Sequence, residues 1–201
     1  MSSELHAIVG LGNPGAEYER TRHNAGFWFV DRLAEAARVP FRVESKFHGQ
    51  LARIKLGGGD VLLLKPGTFM NRSGQAVQAL AQFYKLAPTS ILIAHDELDL
   101  PAGTVRLKAG GGHGGHNGLR DVHKVLDESY LRLRIGIGHP GDKTLVLNYV
   151  LGRPSRDDDE AIHAALGDAA VAVENWLTRG WERALTQLHT KPVPPPGAAT
   201  K

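Results

Sequence analysis

The chain contains no cysteine. Disulfides, thiol nucleophiles and cysteine-ligated zinc are thereby excluded, and any metal would need His, Asp and Glu ligands. No apolar run is long enough to span a bilayer, and the opening MSSELHAIVGLGNPG lacks a basic segment followed by an apolar one and a small-residue cleavage site. A cytoplasmic protein with no membrane partner is the expectation. Also missing are a G-x-x-x-x-G-K-[ST] phosphate loop, a G-x-S-x-G nucleophile elbow and an H-E-x-x-H metal helix. Serine-hydrolase and zincin chemistries therefore lose their usual sequence support.

Glycine, by contrast, is plentiful, with 24 residues. The pattern G-x-G-x-x-G occurs at Gly10/Gly12/Gly15, Gly110/Gly112/Gly115 and Gly136/Gly138/Gly141, and its recurrence shows how little it means here. Only the first copy follows an early strand; its helix starts downstream, and no acid waits at a second strand end to hold a ribose. These glycines read as turn formers.

The net charge of +3 hides an asymmetry: residues 155–190 carry seven acids against three bases, leaving 21 bases and 14 acids elsewhere. A basic body with an acidic C-terminal segment suits an anionic partner on one face.

With 201 residues and 42% apolar content the chain suits one domain, 1–190, followed by a Pro-rich tail, 191–201. Apolar and β-branched residues predict strands at 6–11, 90–94, 104–108 and 131–138, and a hairpin of 51–56 and 61–64 joined by Gly57-Gly58-Gly59-Asp60. Helical spacing predicts helices from Asn24, a suitable N-cap, to Pro40, and over 73–84, 117–126, 157–177 and 181–188. This alternation argues for an α/β fold, a mixed twisted sheet flanked by helices.

Three loops that follow strands carry complementary polar groups: Asn13 and His23 after the first, His95-Asp96-Glu97 after the 90–94 strand, and His113 to Asn117 after Lys108. Crevices at strand ends are where α/β sheets bind ligands. Without a cysteine or a serine elbow, one His polarised by one Asp is an economical way to make water attack a carbonyl at neutral pH. Spacing does not say which pair, since His95, His113 and His116 compete with His23. The set His95, Asp96, His113 and His116 is also a candidate for zinc or manganese. The loop from Lys108 through Gly110–Gly115 to Arg120 offers backbone N–H groups and positive charge to a phosphate or an oxyanion. Capping is the ordinary role for Asn13, Asn24, Asn71 and Asn117.

Taken together, IVGLGNPGAEYERTRHNAG (8–26), KPGTFMNRSG (65–74), AHDELDLPAG (94–103), GGGHGGHNGLRD (110–121) and RLRIGIGHPG (132–141) resemble the bacterial peptidyl-tRNA hydrolase family. Five ordered blocks over about residues 5–190 make the resemblance far more specific than any single pattern. It implies a single α/β domain acting as a monomer without metal or cofactor, which cuts the ester between a peptide and the 3′ end of its tRNA. By motif position it implies His23 as general base and Asp96 as the acid that keeps it ready. It implies Asn13 as the residue distinguishing peptide-blocked from free aminoacyl ends. Tyr18, Phe69, Met70, Asn71, Gly114, His116 and Asn117 fall at substrate-binding positions, and Lys108, Arg134 and Lys143 at positions facing the acceptor stem. Ala109, where the family commonly has a larger apolar residue, and the Pro-rich tail depart from the pattern. A non-catalytic RNA-binding protein on the same scaffold and a small-ester hydrolase with no RNA partner are the alternatives.

Overall fold

The computed structural model describes residues 4–190; the expected tail, 191–201, lies outside them. Seven strands form one mixed sheet: β1 (His6–Gly10), β2 (Arg42–Glu44), β3 (Gly49–Leu56), β4 (Gly59–Pro66), β5 (Ile91–Glu97), β6 (Val105–Ala109) and β7 (Leu131–Gly136), in the order β2-β3-β4-β1-β5-β7-β6. The central four, β4, β1, β5 and β7, are mutually parallel. Antiparallel β2-β3 flanks them on one side and β6 on the other. Central parallel strands are covered on both faces, which is why they read as nearly continuous apolar runs.

Alternate residues of these strands supply two cores. Ile8, Leu63 and Leu92 point to the face covered by α1 (Ala25–Ala37), α5 (Arg156–Arg179) and α6 (Trp181–His189). Ala7, Val9, Leu62 and Leu64 point to the face covered by α2 (Ser73–Tyr84) and α3 (Asn117–Leu126). A short helix, α4 (Val146–Val150), precedes α5. Ser155 caps α5 by accepting the Asp158 N–H, and Asp157, Asp158 and Asp159 lie in its first turn, where the helix dipole favours negative charge.

The hairpin forms with a tighter turn than the sequence suggests. Gly57 and Gly58 alone make the loop, with φ of 60° and 82°, and Gly59 and Asp60 already pair with Leu56 and Lys55. A two-residue turn of this hand needs positive φ at both positions, which glycine adopts without strain.

Three readings are corrected. β5 runs on to Glu97 because its pairing with β7 continues through Asp96↔Ile135 and Glu97↔Gly136. His95 and Asp96 thus sit on a strand, not in a loop. Asn24 does not cap α1: a one-turn 3-10 helix, Arg22–Asn24, leads into it, and the Asn24 amide is spent elsewhere. β7 ends at Gly136, and neither β2 nor α4, of three and five residues, was expected.

Candidate active site

The C-terminal ends of the parallel strands β1, β4 and β5 lie at one edge of the sheet. The 3-10 turn carrying His23 reaches it because two backbones nearly touch. A Cβ on Gly26 would lie 2.3 Å from the Ala94 carbonyl oxygen, and one on Gly10 would lie 2.2 Å from the Gly26 oxygen. The first glycine of the first G-x-G-x-x-G copy therefore serves helix-to-strand packing, which brings residue 23 to residue 96.

His23 Nδ1 lies 3.0 Å and 2.9 Å from the two Asp96 oxygens, and His116 Nε2 lies 2.8 Å from Asp96 Oδ1. Asp96 is buried, with 3% of its surface exposed. Burial pushes its pKa up, but the electrostatic attraction of the two imidazoles, His23 and His116, and the hydrogen bond from each outweigh burial and hold the carboxyl well below the usual range. An ionised carboxylate only accepts, so His23 donates through Nδ1–H and Nε2 carries the lone pair. Among the described residues the His23 side chain hydrogen-bonds only through Nδ1, which leaves Nε2 open. For His23, burial lowers the pKa while the Asp96 charge and hydrogen bond raise it, and the net result lies above 6.5.

The competing histidines are engaged differently. His95 is buried and donates Nδ1–H to the Asp96 backbone carbonyl at 2.8 Å. Burial and the neighbouring His116 push its pKa down to about 3, which removes it as a base at neutral pH. His113 Nδ1 accepts the Gly115 N–H within the glycine loop. His116 Nδ1 accepts the N–H groups of Gly118 and Leu119, capping α3.

Asn13 is held by two neighbours. The Asn24 amide accepts the Asn13 N–H at 2.8 Å and donates to the Asn13 carbonyl at 2.9 Å. The Asn13 Oδ1 accepts the Met70 N–H at 2.7 Å. With Oδ1 committed, the Nδ2 group is the end of the amide left for a ligand. Asn24 is thus a structural residue of the site whose role the sequence reading missed.

The remaining substrate candidates divide into two groups. Asn71 and Asn117 line a polar cavity of about 290 Å³ with Arg120, Asp121 and Lys124. Arg120 donates to Asn117 Oδ1 at 3.3 Å, and Asp121 accepts the Gly74 N–H. Lys124, four residues after Arg120 on α3, went unremarked in the sequence although helical spacing puts both on one face. Phe69, 60% exposed, meets the Tyr18 ring edge-on at 6.3 Å between centroids. Met70 is buried, and Gly114 is exposed with a φ of 57°.

The antiparallel register of β6 and β7 sets Arg106 opposite Arg134 and Lys108 opposite Arg132, so all four cations share one sheet face. Three of them are engaged, Arg106 by donating from Nη1 to the Val105 carbonyl at 2.9 Å. Arg132 is buried and donates to the carbonyls of Gly110 and Gly112, bracing the glycine loop. Arg134 pairs with Glu97 at 2.7 Å. Lys108 is exposed and has no ion pair among the described residues. Arg106, absent from the sequence reading, is half-buried beside it. Lys143 is exposed in the one-turn helix Lys143–Leu145, with no hydrogen bond or ion pair to this group.

Ligand atoms of His23, Asp96 and His116 lie within 4.8 Å of one another, a different set from the one the sequence suggested for a metal. A metal on His116 Nε2 would require the ring hydrogen on Nδ1, where two backbone N–H groups already donate. The donor set fits a hydrogen-bonded carboxylate better than a metal ion.

The family model described as peptidyl-tRNA hydrolase matches residues 7–196. Peptidyl-tRNA hydrolase of Neisseria meningitidis serogroup C is 55% identical over 192 residues, covering 95% of this chain and 100% of that protein. Its counterpart in Chromohalobacter salexigens is 55% identical over 190 residues, covering 94% and 98%. The crystal structure of peptidyl-tRNA hydrolase from Acinetobacter baumannii superposes with a TM-score of 0.90 at 47% identity, covering 96% of this chain and 99% of that one. The chain belongs to the peptidyl-tRNA hydrolase family.

Proposed function

We propose that this protein hydrolyses the ester joining a peptide to the 3′-terminal ribose of tRNA, with His23 activating the attacking water. The carrying observation is the His23–Asp96 pair, which leaves the His23 Nε2 without a hydrogen bond among the described residues, together with the Asn13 amide, whose Oδ1 is committed to the Met70 N–H. Nε2 takes a proton from water as its oxygen attacks the ester carbonyl, and Asp96 stabilises the imidazolium that forms. As the tetrahedral intermediate collapses, the C–O bond to the ribose breaks and the imidazolium returns the proton to the leaving oxygen. The products are tRNA with a free ribose hydroxyl and a peptide acid, which loses its proton to solvent to become the carboxylate.

Asn13 supplies selectivity in this reading. A peptidyl substrate presents a carbonyl acceptor where a free aminoacyl end carries an ammonium donor. An amide fixed with Nδ2–H outward welcomes the first and repels the second. Asn71 and Asn117 hold the peptide backbone or the attacking water, and Tyr18, Phe69 and Met70 flank it. Arg106 and Lys108 meet acceptor-stem phosphates, with Lys143 as a further cation. Such contacts position without reading sequence. The same reading has the protein act as a cytoplasmic monomer.

Release of tRNA from N-acetyl-aminoacyl-tRNA tests the assignment. His23→Ala is expected to slow it by about 10²–10⁴-fold, the usual worth of a general base. Undiminished turnover in that variant removes His23 from the chemistry.

A further inference from the structure

His116 is placed by the resemblance among substrate-binding residues, but its hydrogen bonds leave it nothing to offer a substrate. Nδ1 accepts the Gly118 N–H at 3.1 Å and the Leu119 N–H at 3.3 Å, so the ring hydrogen resides on Nε2. That Nε2–H donates to Asp96 Oδ1 at 2.8 Å, and 10% of the side chain is exposed. The ring lies between two other imidazoles, 5.0 Å from His23 and 5.3 Å from His95 between centroids.

We propose that His116 is a positioning residue, which fixes the rotation of the Asp96 carboxylate from the N-terminus of α3 and so ties the general base to the seating of the glycine loop. The proposal rests on the reading of His23 and Asp96 given above. Asp96 reaches His23 Nδ1 with both oxygens, at 3.0 Å and 2.9 Å, and a carboxylate can turn about its last bond. The His116 donor on Oδ1 selects the rotation in which both oxygens face Nδ1. The ring making that bond is the N-cap of the helix that begins with Asn117. It directly follows the loop whose Gly110 and Gly112 carbonyls are braced by Arg132. Any shift of that loop is therefore felt at Asp96 through one side chain. The titratable and charged groups facing His116 are Asp96 and His95 from β5 and His23 from the turn before α1; Arg132 of β7 acts on His95.

Three variants separate positioning from capping and from substrate contact. Asn is a good N-cap but too short to reach Asp96, so His116→Asn keeps the cap and loses the Asp96 bond. Gln reaches further and caps poorly, so His116→Gln restores a donor to Asp96 and weakens the cap. His116→Ala lacks both. With N-acetyl-aminoacyl-tRNA, His116→Asn is expected to melt near wild type and keep KM within about twofold. Its kcat should fall about ten- to hundredfold, the worth of one hydrogen bond to a charged group. The acid limb of its kcat/KM profile should move to higher pH, because a carboxylate with one donor fewer holds the His23 proton more tightly. His116→Gln should recover most of the kcat while melting lower than wild type.

Unchanged kcat and pH profile in His116→Asn would leave the ring only a cap, and a raised KM with kcat retained would make it a substrate contact. Either overturns the proposal. If His116→Asn folds poorly, His116→Gln decides: kcat as low as that of His116→Ala overturns it as well. The control is His23→Ala. Full activity there overturns the general-base reading itself, whereas an inactive His23→Ala beside a wild-type-like His116→Asn overturns only the role given to His116.

Discussion

Replacing Asp96 with Asn keeps the shape of the buried group and removes the charge, and the surrounding bonds dictate how the new amide must lie. His116 can only donate to it, because its Nδ1 is taken by the N–H groups of Gly118 and Leu119. The amide oxygen must therefore face His116, as Asp96 Oδ1 does now at 2.8 Å. The amide NH2 then faces His23 Nδ1, which must become an acceptor. In that tautomer the hydrogen sits on Nε2, where the lone pair for water is needed. Loss of the carboxylate also leaves burial as the first force on the ring, so the pKa of His23 falls from its raised value. The imidazole is then held in the wrong tautomer and is a weaker base, at a cost of about 10²–10⁴ in kcat. Release of tRNA from N-acetyl-aminoacyl-tRNA across pH gives the assay. The acid limb of the residual activity should lie at lower pH than in wild type. Activity within about threefold of wild type would refute the orientation assigned to the pair, since the catalytic loss expected of a missing base partner is far larger.

Other perturbations probe the neighbouring parts. Asn13→Ala removes the outward Nδ2 and orphans the buried Met70 N–H; it should lower stability by about 1–3 kcal/mol in a melt. In the same variant the ratio of kcat/KM for N-acetyl-aminoacyl-tRNA over free aminoacyl-tRNA should drop, and an unchanged ratio would shift discrimination to another residue. Gly26→Ala puts a methyl 2.3 Å from the Ala94 carbonyl oxygen. It should destabilise by at least about 1–3 kcal/mol, the range for overpacking, and cut kcat by parting His23 from Asp96; a variant equal to wild type in both would show that the contact yields. Lys108→Ala should raise KM, leave kcat nearly intact and reduce the slope of log affinity against log salt by about 1. Salt-independent binding by wild type would contradict the phosphate contact.

The sheet was legible in the sequence where its physics is local. Strand His6–Gly10 and residues 91–94 of the next strand in the sheet are largely apolar, as strands covered by helices on both faces are, and the paired glycines at 57 and 58 announce a tight turn. The end of β5 was not legible. Whether His95, Asp96 and Glu97 continue a strand depends on β7 lying beside them, and their polar side chains read locally as a loop. Asn24 stands where an N-cap belongs, and only the approach of residue 13 gives its amide a stronger pair of bonds. His116 and Arg132 were unreadable for the same reason. A histidine capping a helix while donating to a carboxylate 20 residues away, and a buried arginine holding two glycine carbonyls, are tertiary arrangements without local pattern. The cation face shows the reverse case: Arg106 could have been found, since strand alternation sets it on the same side as Lys108.

Catalysis by this pair depends on the His23 ring holding its hydrogen on Nδ1, toward Asp96, and its lone pair on Nε2. Heteronuclear NMR of the histidine ring nitrogens, followed through a pH titration of the wild-type protein, reads this directly. The account predicts an Nδ1–H tautomer for His23 at high pH and a midpoint above 6.5. An Nε2–H tautomer, or a midpoint below that of a free histidine, would contradict it.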